Sequence, residues 1–249
     1  MLITKENVES MKHLFEACTA NMASVREAVL GGAERIELCT ALPLGGLTPS
    51  IGMVKAVREM APRLTIHLLI RPREGDFVYR EDEVAVMVRD MEEAQPFVDG
   101  FVCGALLPDG DIDIATMRRL IKKAGEKPVT FHRAFDVCRD PIEGLQQVID
   151  LGCRRLLSSG QQPTAVEGIP LLRQLHSLAA GRIIVMPGSG VNEKNVRQII
   201  QQTGVSEIHG SASSSTGITS RETVRSIIQK LNIEFGQSPI EDWVRPLAD

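Results

Sequence analysis

Short apolar runs alternate along this chain with longer stretches whose apolar positions fall three and four apart, the two periods that separate a buried strand from an amphipathic helix. Residues 14–18 read as a strand, and residues 22–30 as a helix ended by Gly31 and Gly32. The cycle then repeats. Residues 35–39 form a strand, residues 44–50 a glycine-rich loop, and residues 51–60 a helix stopped by Pro62. A third strand at 64–70 runs into the polar loop 71–76 and a charged helix at 81–93. Residues 99–105 and 112–124 make the fourth pair, with a Pro108-Asp109-Gly110-Asp111 turn between them. The fifth strand, 129–131, follows the breaker pair Lys127-Pro128, and its helix opens at Pro141 and runs to 151. Strands at 155–159, 183–186 and 207–212 precede helices running through 178, over 192–202 and over 220–231.

Strand starts near positions 14, 35, 64, 99, 128, 154, 182 and 207 are about 28 residues apart, one strand-helix unit each. Eight such units with near-continuous apolar strands predict an α/β fold, a single-domain (β/α)8 TIM-type barrel over about 14–231. A C-terminal extension at 232–249, with Pro239, Trp243 and Pro246, lies outside the cycles; packing on the barrel and packing on another subunit both stay open for it.

The 249 residues suit one barrel domain, and no apolar run approaches the roughly 18 residues of a membrane span. Residues 1–13 carry Lys5, Glu6, Glu9 and Lys12 rather than an export signal, so a cytoplasmic location is expected, with no membrane partner. A net charge of -4 with interspersed signs gives no footprint for nucleic acid. The five cysteines contain no Cys-x-x-Cys pair and read as reduced thiols.

In this architecture chemistry belongs at the C-terminal ends of the strands. Charge enters abruptly after the fifth strand, at His132, Arg133 and Asp136, and an extended chain would put His132, Ala134 and Asp136 on one face. Desolvating such a group calls for partners or a ligand. The turns Gly188-Ser189-Gly190 and His209-Gly210-Ser211 fall after strands seven and eight, where barrels bind phosphate through backbone N–H groups. Ser159 and Gly160 end strand six, and Arg71, Arg73 or Arg133 would add a clamp on the same anion.

Glu-x-Cys occurs twice, at Glu16/Cys18 and Glu37/Cys39, and period two puts each pair on one face near the barrel mouth. Thiolates there would favour copper(I), with His132 or His209 as nitrogen donors. Glu16, Glu37, His132 and Asp136 also form an acid/base set, in which close carboxylates raise one pKa and His132 sits near neutrality. The same residues could instead be a structural ion-pair network with Arg35, Arg71 and Arg133. No lysine ends a strand, which disfavours a Schiff-base aldolase. His13, His67 and His176 read as structural.

The blocks Gly31-Gly32-Ala33-Glu34-Arg35-Ile36-Glu37-Leu38-Cys39, Gly45-Gly46-Leu47-Thr48-Pro49-Ser50, Ile70-Arg71-Pro72-Arg73 with Asp76-Phe77, Thr130-Phe131-His132-Arg133-Ala134-Phe135-Asp136, Ser158-Ser159-Gly160 and Gly188-Ser189-Gly190-Val191 together resemble the CutC family, named for copper homeostasis. The resemblance spans about 14–231. It implies a cytoplasmic barrel, a homo-oligomer (dimer or higher), and copper handling, with Glu16, Glu37, Arg71, His132, Arg133 and Asp136 lining the mouth. The family pattern at the seventh strand end is an all-glycine run, where this chain has Ser189. Beside copper handling stands the reading as a barrel enzyme acting on a small anionic metabolite, phosphorylated ones included, by acid/base chemistry at the mouth.

Overall fold

The computed structural model, which describes residues 13–214 and 217–231, places eight parallel strands in one sheet: β1 (Leu14–Thr19), β2 (Arg35–Leu38), β3 (Thr65–Leu69), β4 (Gly100–Cys103), β5 (Val129–Phe131), β6 (Arg155–Ser158), β7 (Ile184–Pro187) and β8 (Glu207–Gly210). Each is followed by a helix: α1 (Met22–Gly31), α2 (Ile51–Met60), α3 (Glu81–Ala94), α4 (Ile114–Ala124), α5 (Pro141–Asp150), α6 (Ile169–Ala179), α7 (Val196–Thr203) and α8 (Arg221–Leu231). Ladders run in the order β7-β6-β5-β4-β3-β2-β1-β8, and β7 and β8 lie against each other, so the sheet curls into the expected barrel.

Local chemistry sets the helix starts. Asn21, Ser50, Asp113 and Asp140 each accept a first-turn N–H, and Pro141 follows its cap at a position with no amide to lose. Two starts fall later than the periodicity predicts. The Asp113 cap moves the fourth helix to Ile114, and Asn195, bonded to the Asn192 N–H and the Gly190 carbonyl, holds 192–195 as a turn before α7.

Period two divides the strand residues between two environments. Phe15, Ile36, Leu38, Ile66, Leu68, Phe101, Phe131, Leu156, Val185 and Ile208 pack with helix residues such as Val25, Val54, Met87, Leu120 and Ile227 in the main core. Their neighbours turn into the ring. There Cys18, Cys39, Leu69 and Val102 form a separate small apolar cluster, while Glu16, Arg35, Glu37, His67, Glu207 and His209 are all buried. This interior is mainly charged, where barrels of the class usually stack branched aliphatics.

Among the described residues no helix is long and apolar enough to cross a membrane. The expectations for residues 1–12, for Ser215 and Thr216 and for the extension 232–249 lie outside the described residues.

Candidate functional site

Glu16 is the pivot of the barrel interior. Fully buried, its carboxylate pairs with Arg35 Nε at 2.6 Å and lies 2.9 Å from His67 Nδ1 and 3.0 Å from His209 Nδ1. Arg35 also pairs with Glu207 Oε2, which accepts as well from Arg155 Nε at 2.7 Å. Burial alone would raise the Glu16 carboxyl, but the Arg35 charge and the hydrogen bonds from His209 and His67 outweigh it and hold the group well below its ordinary range. An ionised carboxylate only accepts, so His67 and His209 both carry their proton on Nδ1, and Nε2 is the free nitrogen of His209. Burial would lower His209; the Glu37 charge and the Glu16 hydrogen bond reverse that and raise it.

The two Glu-x-Cys repeats meet one register apart. The parallel ladder sets Cys18 beside Glu37 rather than beside Cys39. The Cys18 Sγ then lies 3.5 Å from Glu37 Oε1 and 3.8 Å from Cys39 Sγ, on the far side of the same carboxylate from Glu16 and His209 in the ladder. Ligand atoms of Cys18, Glu37 and Cys39 all lie within 4.8 Å of one another, as do those of Glu16, Glu37 and His209, so Glu37 belongs to both groups. Its carboxyl is raised, by burial first and then by the Glu16 charge. The Cys18 thiol is raised well above its ordinary value by the Cys39 hydrogen bond, by burial and by the Glu37 charge, so it is neutral at pH 7. All five cysteines are free.

Opposed expectations are corrected at the fifth strand end. The chain does not stay extended: His132 caps a 3-10 turn over Arg133–Val137, its Nδ1 accepting the Ala134 N–H at 3.2 Å. Asp136 therefore leaves the face of His132. It accepts from Ser158 Oγ at 2.6 Å, from the Ser159 N–H at 2.9 Å and from Arg133 Nε at 2.7 Å, and so ties the ends of β5 and β6 together. Nor does His132 sit near neutrality. Burial and the Arg71 charge push it down to about 3, so it is a neutral imidazole with its proton on Nε2, a donor rather than a base.

Arg71 turns inward from the end of β3 and is only 5% exposed. Its terminal nitrogens donate to the carbonyls of Leu44, Gly46 and Gly75. Gly45 and Gly46, both at positive φ, let the loop after β2 wrap this guanidinium; a Cβ on Gly45 would stand 2.8 Å from Arg71 Nη1. Phe77 covers the group from the loop after β3, its ring 4.8 Å from Arg71 Cζ and 5.0 Å from the His132 ring.

These residues surround a chamber of about 300 Å³ at the barrel mouth. Cys18, Glu37, Arg71, His132, Arg133, Ser189, Gly190, His209, Gly210 and Ser211 line it, so the turns after β7 and β8 do reach the site. Glu16 and Cys39 stand directly behind Glu37 and Cys18, and Gly188 makes room first for Leu157, whose Cδ1 a Cβ there would meet at 2.6 Å, and then for His209, whose Cδ2 would lie at 3.3 Å. Arg73 is elsewhere: it faces outward, bonded to Glu83 at 2.6 Å and Asp76 at 2.9 Å, and cannot clamp an anion in the chamber. Ser159 and Gly160 serve the Asp136 hub and its turn instead of the chamber wall. Sequence reasoning missed Glu207, Arg155 and Phe77; the first two were signalled by charges at the starts of buried strands.

The CutC family profile matches residues 13–214. The CutC family protein of Bacteroides thetaiotaomicron is 49% identical over 222 residues, 89% of this chain and 86% of that protein. Its counterpart in Parabacteroides distasonis is 51% identical over 205 residues, 82% of this chain and 84% of that protein. The solved structure of a protein from Streptococcus agalactiae named for copper homeostasis, CutC, superposes with a TM-score of 0.77 at 32% identity, covering 80% of this chain and 98% of that one.

Proposed function

This chain belongs to the CutC family, and we propose that it handles copper as copper(I), held by the thiolates of Cys18 and Cys39 with Glu37 beside them. The observation that carries the reading is the 3.8 Å separation of the two sulfurs. Two sulfurs about 2.3 Å from a shared ion at a tetrahedral angle stand about 3.8 Å apart, so the pair needs little movement to bind. Soft thiolates favour copper(I) and zinc over hard ions such as magnesium and calcium, and the family's name points to copper. Leu69 and Val102 pack around the thiols, and Cys18 faces the chamber through which an ion would arrive. The Cys18 proton must leave on binding, and His209 and Glu37, both with raised pKa, are the neighbouring groups able to carry it.

Titration with copper(I) under reducing conditions against a competing chelator tests this directly. The Cys18→Ala/Cys39→Ala variant is expected to lose at least about 100-fold in affinity, and equal affinity in the two proteins rejects the site. A reduced thiol pair also fits the proposed cytoplasmic location, to be checked by fractionation, and the proposed homo-oligomer by light scattering.

A second reading rests on the chamber. Its 300 Å³ is the volume of about ten waters, far more than one ion fills. Glu16 orients His209 as a carboxylate orients a catalytic base, and Glu37 supplies a raised carboxyl beside it. In this reading the pair transfers protons on a small anionic metabolite, and a Glu37→Gln variant loses that chemistry while keeping its fold.

A further inference from the structure

Arg71 is a buried cation without a counter-ion. Among the described residues no carboxylate pairs with it; three backbone carbonyls, the Phe77 ring and the neutral Tyr79 hydroxyl, itself buried without a hydrogen-bond partner, stand around it. Every other buried arginine inside the barrel has an acid: Arg35 pairs with Glu16 and Glu207. Placing a guanidinium in a protein interior costs several kcal/mol unless a negative charge compensates it. Two further donors nearby are unmet. The Nε–H of Arg71 and the Nε2–H of His132 are both buried and find no acceptor, and each belongs to a residue on the chamber wall. Unsatisfied buried donors are rare in native proteins, and two beside an uncompensated cation mark a place for an acceptor with negative charge.

We propose that the chamber binds a small ligand by its oxyanion, a carboxylate or phosphate group, which Arg71 and His132 receive through these two N–H groups once the Phe77 ring turns aside. The Phe77 ring lies against both groups. Its backbone is fixed, because the Phe77 carbonyl accepts the Leu106 N–H, so the movement required is a side-chain rotation rather than a loop opening. His132 suits this role because it is held neutral: it presents a donor without adding a second positive charge beside Arg71. The volume available limits the ligand to a small metabolite.

The inference rests on the chamber taking a small ligand, as the second reading above requires, but it assigns a different set of residues. It does not depend on the thiols, so it is tested in wild type and in Cys18→Ala/Cys39→Ala. Protein labelled with 15N-histidine is titrated separately with inorganic phosphate and with malonate while the His132 ring nitrogens are followed. A saturable shift with either probe is expected, phosphate alone or malonate alone naming the oxyanion. His132→Phe, which keeps an aromatic ring against Phe77 but removes the donor, is expected to weaken binding about tenfold, and Phe77→Ala to strengthen it. Arg71→Lys keeps the charge and removes the Nε–H donor, so it is expected to weaken binding, and unchanged binding by it overturns the role of that N–H. No saturable shift in wild type and in Phe77→Ala, or equal binding by wild type and His132→Phe, overturns the proposal. If the anion binds yet Glu37→Gln leaves proton transfer intact, the acid/base reading fails and the anion site stands.

Discussion

Replacing Glu16 with glutamine removes the one negative charge that Arg35, His67 and His209 share. The amide is nearly isosteric, so the effect isolates charge and acceptor capacity. Its single oxygen can keep only part of the set now met by two oxygens at 2.6, 2.9 and 3.0 Å, and its NH2 must face a donor. Arg35 would retain Glu207 alone. Breaking a buried pair from one side costs about 3–5 kcal/mol, a large part of the roughly 5–15 kcal/mol that stabilises a domain. With a urea m-value of about 3 kcal/mol/M the unfolding midpoint should fall by about 1–1.7 M at pH 7. The pH dependence carries a sign. Because the folded pKa is depressed below the ordinary 4.5, the Glu16 contribution is fully present above that value and is lost as pH falls through the folded pKa. The Glu16 part of the gap between wild type and Glu16→Gln should therefore narrow below about pH 4.5, while His209, whose pKa Glu16 helps to raise, adds a part that shrinks as pH rises through its folded pKa. Urea titrations of both proteins at pH 7 and at pH 4 measure it. A gap under about 1 kcal/mol at pH 7, or one that stays constant on acidification, would refute the claim that Glu16 is the charged pivot of the interior.

Other expectations follow from the same geometry. Asp136→Ala should cost about 3 kcal/mol by urea denaturation, because Ser158 Oγ, the Ser159 N–H and Arg133 lose a common acceptor. Gly100→Ala should destabilise by about 1–3 kcal/mol, since a Cβ would stand 2.7 Å from His67 Cδ2 and 2.9 Å from the Pro128 carbonyl. Gly152→Ala meets nothing within 4 Å and should show only the positive-φ cost of about 1 kcal/mol in the same melts. Copper(I) affinity should rise by at least about tenfold per pH unit between pH 6 and 8, because Cys18 is a neutral thiol that must release its proton; a flat profile in chelator competition would speak against thiolate ligation.

The barrel was legible because its two periods are written in every unit, and Glu16, Cys18 and Glu37 point inward as period two requires. The meeting of Cys18 and Cys39 was not legible in detail. It depends on the offset between β1 and β2, which pairs Cys18 with Glu37, and no local pattern encodes the register of two strands separated by a helix. Asp136 was misplaced for a local reason: a side chain at the strand end, His132, accepted a backbone N–H and turned extended chain into a 3-10 turn. The arginines after β3 illustrate the limit of counting charges. Arg71 and Arg73 are two residues apart, yet one is wrapped by carbonyls inside the mouth and the other is paired with acids on the outside. Their sequence is equally basic, and the difference comes from the glycine loop after β2, which is free to close on one of them.

Glu37 is where the two functional readings meet, and that makes it the residue able to part them. It touches Cys18 on one side and shares the group of Glu16 and His209 on the other. As a neighbour of copper(I), a carboxylate is a hard and weak ligand, so Glu37→Gln should change affinity by about tenfold or less while Cys18→Ala removes most of it. As a proton carrier, the carboxyl is indispensable, because the amide cannot exchange a proton near neutral pH, whereas Cys18→Ala leaves the Glu16–His209 pair undisturbed. The two substitutions thus reverse their order of severity between the readings. That reversal follows from two registers, β1 with β2 and β1 with β8, which together put one carboxylate between a thiol pair and an oriented imidazole.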